Sequence, residues 1–219
     1  GEFHGKPFIP LPWQEPVIRD VYGTLGADGF RQYQYIYLEI PKKNGKTETV
    51  AGAALYHTFA DGERNGKVFS CAAEKGQASI AFDVAFDMIG QSPELKKRCK
   101  PNVSTKTLKD KVSGTTYKAI SAESYSKHGL NLSACIFDEL HAQPNRGLWD
   151  TMTFGAGDAR RQPIWWVITT AGDDPDRGPG LGDGDVLGGV VAEADGCGIR
   201  RRDSERSEVR ARSQRSAGE

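Results

Sequence analysis

The sequence contains few cysteines, and none of them forms a CxxC pair. The 4 cysteines of the 219-residue chain are Cys71, Cys99, Cys135 and Cys197. Without paired spacing they favour neither a zinc site nor a disulfide framework. We interpret them as the reduced thiols of a cytosolic protein.

Long hydrophobic runs are also missing. No stretch approaches the roughly 18 apolar residues that a membrane-spanning helix requires, and no charged segment followed by an apolar one opens the chain. The sequence therefore predicts neither a membrane span nor a secretory signal. Because the chain opens on Gly1 rather than on methionine, we expect it to begin inside a longer gene product.

Neither sign of charge is in excess. The chain has 29 basic and 29 acidic residues, so it lacks the global basic field of a dedicated nucleic-acid binder. Any contact with DNA must then be local. The length suits one good-sized domain with a real core, and we expect a single catalytic unit.

Apolar runs that are rich in β-branched and aromatic residues alternate with longer helical patterns from Lys6 to about Gly172. This alternation is typical of an α/β fold with a mostly parallel sheet. The predicted strands are 33 to 40, 67 to 72, 134 to 137 and 163 to 169, with a hairpin in 103 to 121. The predicted helices are 14 to 22, 46 to 60 and 75 to 90.

The composition changes near the C-terminus. No aromatic residue follows Trp166, residues 177 to 199 are rich in glycine, and residues 200 to 219 contain arginine but no lysine. Such a segment buries too little apolar surface to offset the entropy lost on ordering. We therefore divide the chain into a domain at 1 to 176 and a disordered tail at 177 to 219, either a frameshifted or truncated end or a genuine linker.

The stretch "PKKNGKTET" follows the first predicted strand and precedes a helix. Gly45, Lys46 and Thr47 occupy the places of a phosphate-binding loop, where backbone N–H groups and a lysine contact phosphates and a hydroxyl ligates magnesium. The complete pattern would have glycine at position 40, where this chain has Ile40. The alternative for the motif alone is an exposed turn that opens a helix.

The stretch "SACIFDELH" places two carboxylates at the end of an apolar strand. Asp138 is predicted to hold magnesium through its water shell, and Glu139 to polarise the attacking water. The alternative is a strand that ends in a solvated acidic turn. Adjacent aspartate and glutamate favour an ATPase with a catalytic glutamate over a slow switch GTPase.

A third strand, "PIWWVITTAG", ends in Thr169, Thr170, Ala171 and Gly172. Small hydroxyl residues at a strand end beside the phosphates can sense the γ-phosphate and transmit its loss to a neighbouring element. We expect this strand end to couple hydrolysis to movement.

Together with "LPWQEPVIRDVYG", these motifs resemble in content and order the ATPase domain of the large terminase subunit of tailed bacteriophages. The resemblance covers about 8 to 172. Terminases characteristically replace the first glycine of the phosphate loop and place a basic residue four before the lysine, and Lys42 has that place here. The resemblance implies a P-loop NTPase fold of the additional-strand type, with a mostly parallel central sheet flanked by helices.

The resemblance also implies a role for each matching residue. Trp13 and Gln14 correspond to the adenine-recognition motif, although Trp13 alone also fits a buried tryptophan beside a helix start. The implied nucleotide-binding residues are Trp13, Gln14, Lys42, Asn44, Gly45, Lys46 and Thr47. The implied catalytic residues are Lys42, Lys46 and Glu139, the metal ligands Thr47 and Asp138, and the coupling residues Thr169, Thr170 and Gly172.

By the same resemblance, the chain is expected to use ATP and Mg²⁺ to drive the packaging of DNA into procapsids. The implied partners are double-stranded DNA, a portal protein, a small terminase subunit and further copies of the chain in a ring, in the cytoplasm of a bacterial host. The nuclease domain that continues the family's sequence is expected to be absent. Lys127 and His128 lie where some relatives carry a trans-acting arginine.

Two other functions are compatible with these motifs. One is another ATPase of the additional-strand type, such as a helicase, although a full helicase needs a second motor domain. The other is a remnant of a decayed prophage that binds nucleotide or partners without turnover. An ATPase assay distinguishes these functions.

Overall fold

The computed structural model describes residues 8–41, 43–122, 131–154, 157–170, 189–193 and 198–201, with position 141 and the last two segments described by backbone alone. The helices are α1 (Gln14–Gly23), α2 (Lys46–Phe59), α3 (Lys75–Gln91), α4 (Pro93–Arg98) and α5 (Gly147–Thr153), with a 3-10 helix at Leu140–Ala142. The strands are β1 (Tyr35–Glu39), β2 (Lys67–Ala72), β3 (Cys99–Asn102), β4 (Thr107–Asp110), β5 (Thr116–Ser121), β6 (Ala134–Asp138), β7 (Ile164–Thr169), β8 (Gly189–Glu193) and β9 (Gly198–Arg201).

These strands form one sheet in the order β3-β4-β5-β2-β6-β7-β1-β8-β9. The pairings from β5 through β8 are parallel, whereas β3, β4 and β9 pair antiparallel at the two ends. β7 lies between β1 and β6, the strands that lead into the phosphate loop and the acidic pair. This inserted strand confirms the predicted fold class.

Helices cover both faces of the central strands. On one face, α1, α2 and α3 bury an apolar cluster that includes Val21, Ala54 and Phe82 against the sheet. On the other face, α5 packs Trp149 and Met152 against a second cluster. β7 is buried at every position because it has neighbours on both faces, as expected for an inner strand of a parallel sheet.

The strands predicted at 33 to 40, 67 to 72, 134 to 137 and 163 to 169, the hairpin and the three predicted helices are all present, with bounds shifted by a few residues. Sequence reasoning missed the two short helices α4 and α5. α4 has recognisable signals, since the hydroxyl of Ser92 accepts a hydrogen bond from the backbone N–H of Leu95 (3.4 Å) and Pro93 opens the helix.

Two segments of the predicted tail differ from the expectation of disorder. β8 pairs parallel with β1, and β9 pairs antiparallel with β8. The missed signal is the apolar run at 190 to 192, followed by the Asp195-Gly196 dipeptide that favours a hairpin turn. The division of the chain at 176 and 177 stays a prediction, and 202–219 lie outside the described residues.

No helix in the described part of the chain is both long and apolar enough to cross a membrane. Cys71, Cys99 and Cys135 are buried free thiols, as predicted, and Cys197 lies outside the described residues.

A buried carboxylate fixes the β4–β5 hairpin to α4. Asp110 is fully buried and accepts a hydrogen bond from the guanidinium of Arg98 (2.8 Å) and two from Ser113, through its backbone N–H (3.0 Å) and its hydroxyl (2.8 Å). Burial acts to raise the pKa of Asp110, but these hydrogen bonds outweigh it and lower the pKa to about 2.

The Asp110→Asn variant is expected to lose about 2 kcal/mol of unfolding free energy at pH 7, because the depressed pKa of Asp110 stabilises the folded state. That stabilisation is complete above the unfolded pKa, near 4, and is lost as the pH falls through about 2, so the difference from the native chain narrows in that range. Urea unfolding of both chains at several pH values measures this difference in unfolding free energy. Asp83→Asn is the control, since Asp83 forms an exposed ion pair worth less than about 1 kcal/mol; an equal loss in both variants would contradict the assignment.

Candidate nucleotide-binding and catalytic site

The predicted phosphate loop joins the carboxyl end of β1 to the first turn of α2. Gly45, immediately before that turn, has a φ of 71°, in the left-handed region that glycine adopts most readily. A Cβ at Gly45 would lie 3.4 Å from Cδ1 of Leu11 and 3.5 Å from Nε2 of Gln14. Both distances are ordinary van der Waals contacts, so it is the left-handed conformation that favours glycine at this position.

Lys46, the first residue of α2, extends toward the carboxyl end of β6. Its ammonium group forms an ion pair with Glu139 and lies 3.6 Å from Oδ1 of Asp138. The three side chains are mostly buried, with exposed fractions of 16%, 16% and 9% for Lys46, Glu139 and Asp138. The structure thus brings together the lysine and the acidic pair predicted from separate motifs.

Glu139 is held by the end of β7 as well as by Lys46. Its Oε2 accepts hydrogen bonds from the backbone N–H of Thr170 (3.1 Å) and from the Thr170 hydroxyl (3.2 Å), and the Thr169 hydroxyl lies 3.5 Å away. The backbone of Glu139 is left-handed, with a φ of 52°. A non-glycine residue in this conformation is typical of functional sites that the surrounding structure constrains.

Asp138 is buried, and one of its carboxylate oxygens accepts no hydrogen bond from the described residues. Its Oδ1 forms no hydrogen bond with any described residue. Burial raises the pKa of Asp138, Lys46 opposes that effect, and the neighbouring charge of Glu139 adds to it. A buried carboxylate oxygen of this kind is suited to bind a cation or an ordered water.

The predicted adenine motif lies directly against the phosphate loop. The Gln14 amide donates a hydrogen bond to the hydroxyl of Thr49 (2.7 Å) and accepts one from the backbone N–H of Leu11 (2.7 Å). Thr49 in turn donates to the carbonyl of Gly45 (2.8 Å). The half-buried Trp13 packs against the core, and its Nε1 has no partner among the described residues.

The remaining predicted residues are less fully described. The Asn44 amide donates to the carbonyl of Pro41 (3.4 Å), which stabilises the loop, and Thr47 is half-buried in the first turn of α2. Lys42 and Gly172 lie outside the described residues, as do 127 and 128. Their predicted roles stay predictions.

Sequence reasoning missed Gln77 and Thr49. The side chain of Gln77, in the first turn of α3, lies near enough to Asp138 to act to lower the pKa of that carboxyl. β2 and β6 are parallel neighbours, so the helix that follows β2 begins beside the end of β6. Strand order therefore locates Gln77 near the acidic pair, but this order is not visible in a local motif.

Comparison with known proteins agrees with this arrangement. Residues 12–180 match the family model for the ATPase domain of the terminase large subunit. The large terminase subunit of Enterobacteria phage HK97 is 33% identical over 181 residues, which covers 80% of this chain and 34% of that protein. The crystal structure of the HK97 large terminase superposes with a TM-score of 0.69 at 30% identity, over 79% of this chain and 35% of that one.

A more distant structure shares the fold. The ATPase domain of the large terminase of Thermus phage P74-26 matches with a TM-score of 0.57 at 15% identity, over 78% of this chain and 69% of that one. The chain spans about a third of the length of the HK97 protein. The region that matches the family model contains the phosphate loop, the acidic pair and the β7 strand end. Because the match covers most of the chain, the chain belongs to the family of terminase large subunit ATPase domains.

Proposed function

We propose that this chain is the ATP-hydrolysing domain of a motor that packages double-stranded DNA into a viral procapsid. The observation that carries the proposal is the convergence of Lys46, Glu139 and Thr170 at the carboxyl ends of three strands. Phosphoryl transfer depends on such positioning, because a cation must neutralise the phosphates while a base orients the attacking water.

The ion pair supports a division of roles between its two members. A bound triphosphate presents several negative oxygens near the start of α2, and these compete with Glu139 for the ammonium group of Lys46. Once Lys46 binds phosphate oxygens, the Glu139 carboxylate can accept a proton from water as a general base. The backbone N–H of Thr170 keeps that carboxylate oriented.

The residues present fit Mg²⁺. The Oδ1 of Asp138, which accepts no hydrogen bond from the described residues, is a hard oxygen ligand, and the hydroxyl of Thr47 has the place that ligates magnesium in phosphate loops. The described residues contain no group of three or more candidate metal-binding side chains. Mg²⁺ commonly takes only one or two protein ligands, together with water and phosphate oxygens. When bound, the ion would neutralise charge on the β and γ phosphates.

Adenine selectivity is proposed for Gln14. These two hydrogen bonds use one N–H of the Gln14 amide and one lone pair of its oxygen, so a second N–H and a second lone pair are left to bond a ligand. A donor beside an acceptor complements the exocyclic amine and ring nitrogen of adenine, whereas guanine presents a carbonyl where adenine has the amine.

The finer features of the proposal follow the family. We propose that the chain acts in a homo-oligomeric ring with a portal protein, a small terminase subunit and double-stranded DNA, in the cytoplasm of a bacterial host. We propose a single ATPase domain at 1 to 176 without nuclease activity, and 177 to 219 as a tail that contributes β8 and β9 to the sheet edge.

Lys46→Ala is expected to abolish nucleotide binding or turnover, because it removes the cation that contacts the β and γ oxygens. Isothermal titration with ATP and a phosphate-release assay measure both. Lys43→Ala is the matched control, since Lys43 is an exposed cation of the same loop. Native-like hydrolysis by Lys46→Ala would refute the assignment of the site.

Glu139→Gln is expected to retain ATP and Mg²⁺ while losing at least about a hundredfold in hydrolysis rate, because a positioned base is removed. Glu48→Gln, at an exposed position in the first turn of α2, should keep the native rate. A collapse of ATP affinity together with the rate would instead identify Glu139 as a metal ligand or a structural residue. A native chain that binds ATP without turnover would indicate the prophage remnant.

Gln14→Ala is expected to weaken ATP binding about tenfold while changing GTP binding less than about twofold, because two hydrogen bonds to adenine are lost. Competition against a fluorescent ATP analogue measures both affinities on one protein sample. The ratio is insensitive to any general loss of stability. Equal weakening of ATP and GTP would show that Gln14 only supports the phosphate loop.

A further inference from the structure

Positive charge is concentrated around the hairpin end of the sheet, although the whole chain is neutral. Between positions 96 and 120 the sequence has one acidic residue, Asp110, and eight basic residues. The basic residues are Lys96, Lys97, Arg98, Lys100, Lys106, Lys109, Lys111 and Lys118. Because the whole chain is neutral, any contact with DNA must be local. This basic region is a candidate for that contact.

Strand register places part of this charge on one face of the sheet. Lys100 pairs with Lys109, Lys109 pairs with Thr116, and Thr116 pairs with Lys67. Paired residues project to the same face of a sheet, and so do residues two apart on one strand. Lys118 lies two residues after Thr116 on β5 and therefore projects to this face as well. These four exposed lysines, Lys67, Lys100, Lys109 and Lys118, are called the lysine face.

The arrangement is unfavourable for the isolated domain. Lys100 and Lys109 lie directly opposite each other, and like charges in that relation destabilise a sheet. Within the described residues, no ion pair joins the lysine face to an acid. Other cations of the region do have acidic partners: Arg98 pairs with Asp110, and Lys106 with Asp83.

Edge protection explains only part of the pattern. Lysine on an edge strand prevents unwanted strand pairing, and this accounts for Lys100 on β3. Lys109 and Lys118 belong to strands that have neighbours on both sides, so they have no edge to protect. Their charge calls for another explanation.

Nucleotide binding does not supply that explanation. Lys67 and Thr116 are the first residues of their strands, so the lysine face lies near the amino ends of β2 and β5. The proposed ATP site lies at the opposite, carboxyl ends of β1, β6 and β7. The other face of β4 and β5 is also accounted for, since Leu108 and Tyr117 are fully buried in the core with α3.

We propose that the lysine face contacts the phosphate backbone of double-stranded DNA, an inference that rests on the proposed function in DNA packaging. Closely spaced lysines on an open surface suit a regular row of phosphates. Protein interfaces are depleted of lysine, which disfavours an acidic protein as the partner. No exposed aromatic side chain lies between 96 and 120, so the stacking platforms typical of single-strand binders are missing from this described segment.

The chemistry of the face also predicts how DNA is recognised. Lysine ammonium groups neutralise phosphates without reading base edges, so binding should be independent of sequence. Asn102 and Thr107, which line a shallow open groove with Lys100 and Lys109, can add neutral hydrogen bonds to phosphate oxygens. Contact of this kind suits a motor that must move along any sequence.

The test compares three forms of the full chain by fluorescence anisotropy on a labelled duplex of mixed sequence, over a series of salt concentrations. The forms are the native chain, a triple variant in the lysine face and a control with the same change in net charge. The triple variant is Lys100→Gln, Lys109→Gln and Lys118→Gln. The control is Arg19→Gln, Arg64→Gln and Arg161→Gln, at exposed positions that do not belong to the lysine face.

The triple variant is expected to bind DNA more weakly and to show a salt slope that is smaller in magnitude by about 3, one unit for each phosphate contact removed. The control should keep the native slope. Because the substitutions relieve repulsion, the melting temperature of the triple variant should equal or exceed that of the native chain. A native chain that does not bind DNA, an unchanged slope in the triple variant, or an equal loss in the control would each overturn the inference.

ATP binding, measured on the same preparations, separates this inference from the proposed function. The triple variant should bind a fluorescent ATP analogue as tightly as the native chain. Native ATP binding with unchanged DNA binding in the triple variant refutes the lysine face alone. If none of the three forms, the native chain included, binds the ATP analogue, the proposed function is refuted, and the inference that rests on it falls too.

Discussion

The ion pair between Lys46 and Glu139 is the contact on which the geometry of the site depends. The two residues follow β1 and β6, which are not neighbours because β7 lies between them. The pair therefore spans the end of β7, and Thr170 at that end donates its backbone N–H to the same carboxylate. One partly buried carboxylate thus joins three segments that are far apart in the sequence.

This arrangement gives the site two electrostatic states. With Lys46 on Glu139, the ammonium group partly compensates two adjacent acids, one of which, Asp138, has a pKa raised by burial. A triphosphate that draws Lys46 away leaves the Glu139 carboxylate bonded to Thr170 at the end of β7. We propose that loss of the γ-phosphate then changes the contacts of the β7 strand end and so couples hydrolysis to movement.

The sequence predicted those parts of the molecule that local patterns encode. Apolar runs identified the central strands, and the GKT and Asp-Glu motifs predicted side chains that the fold does bring together. Gln77 and the lysine face escaped notice because their meaning depends on which strands are neighbours, a non-local property. β8 escaped because its apolar run is short and lies in glycine-rich sequence, where strand propensity is low.

A crystal structure of the chain with Mg²⁺ and a non-hydrolysable ATP analogue tests the central claim most directly. The account predicts that Nζ of Lys46 binds the β and γ phosphate oxygens and no longer contacts Glu139, whose carboxylate faces the γ-phosphate while still bonded to the backbone N–H of Thr170. An analogue bound away from the start of α2, or an intact pair between Lys46 and Glu139 with the triphosphate in place, would contradict it.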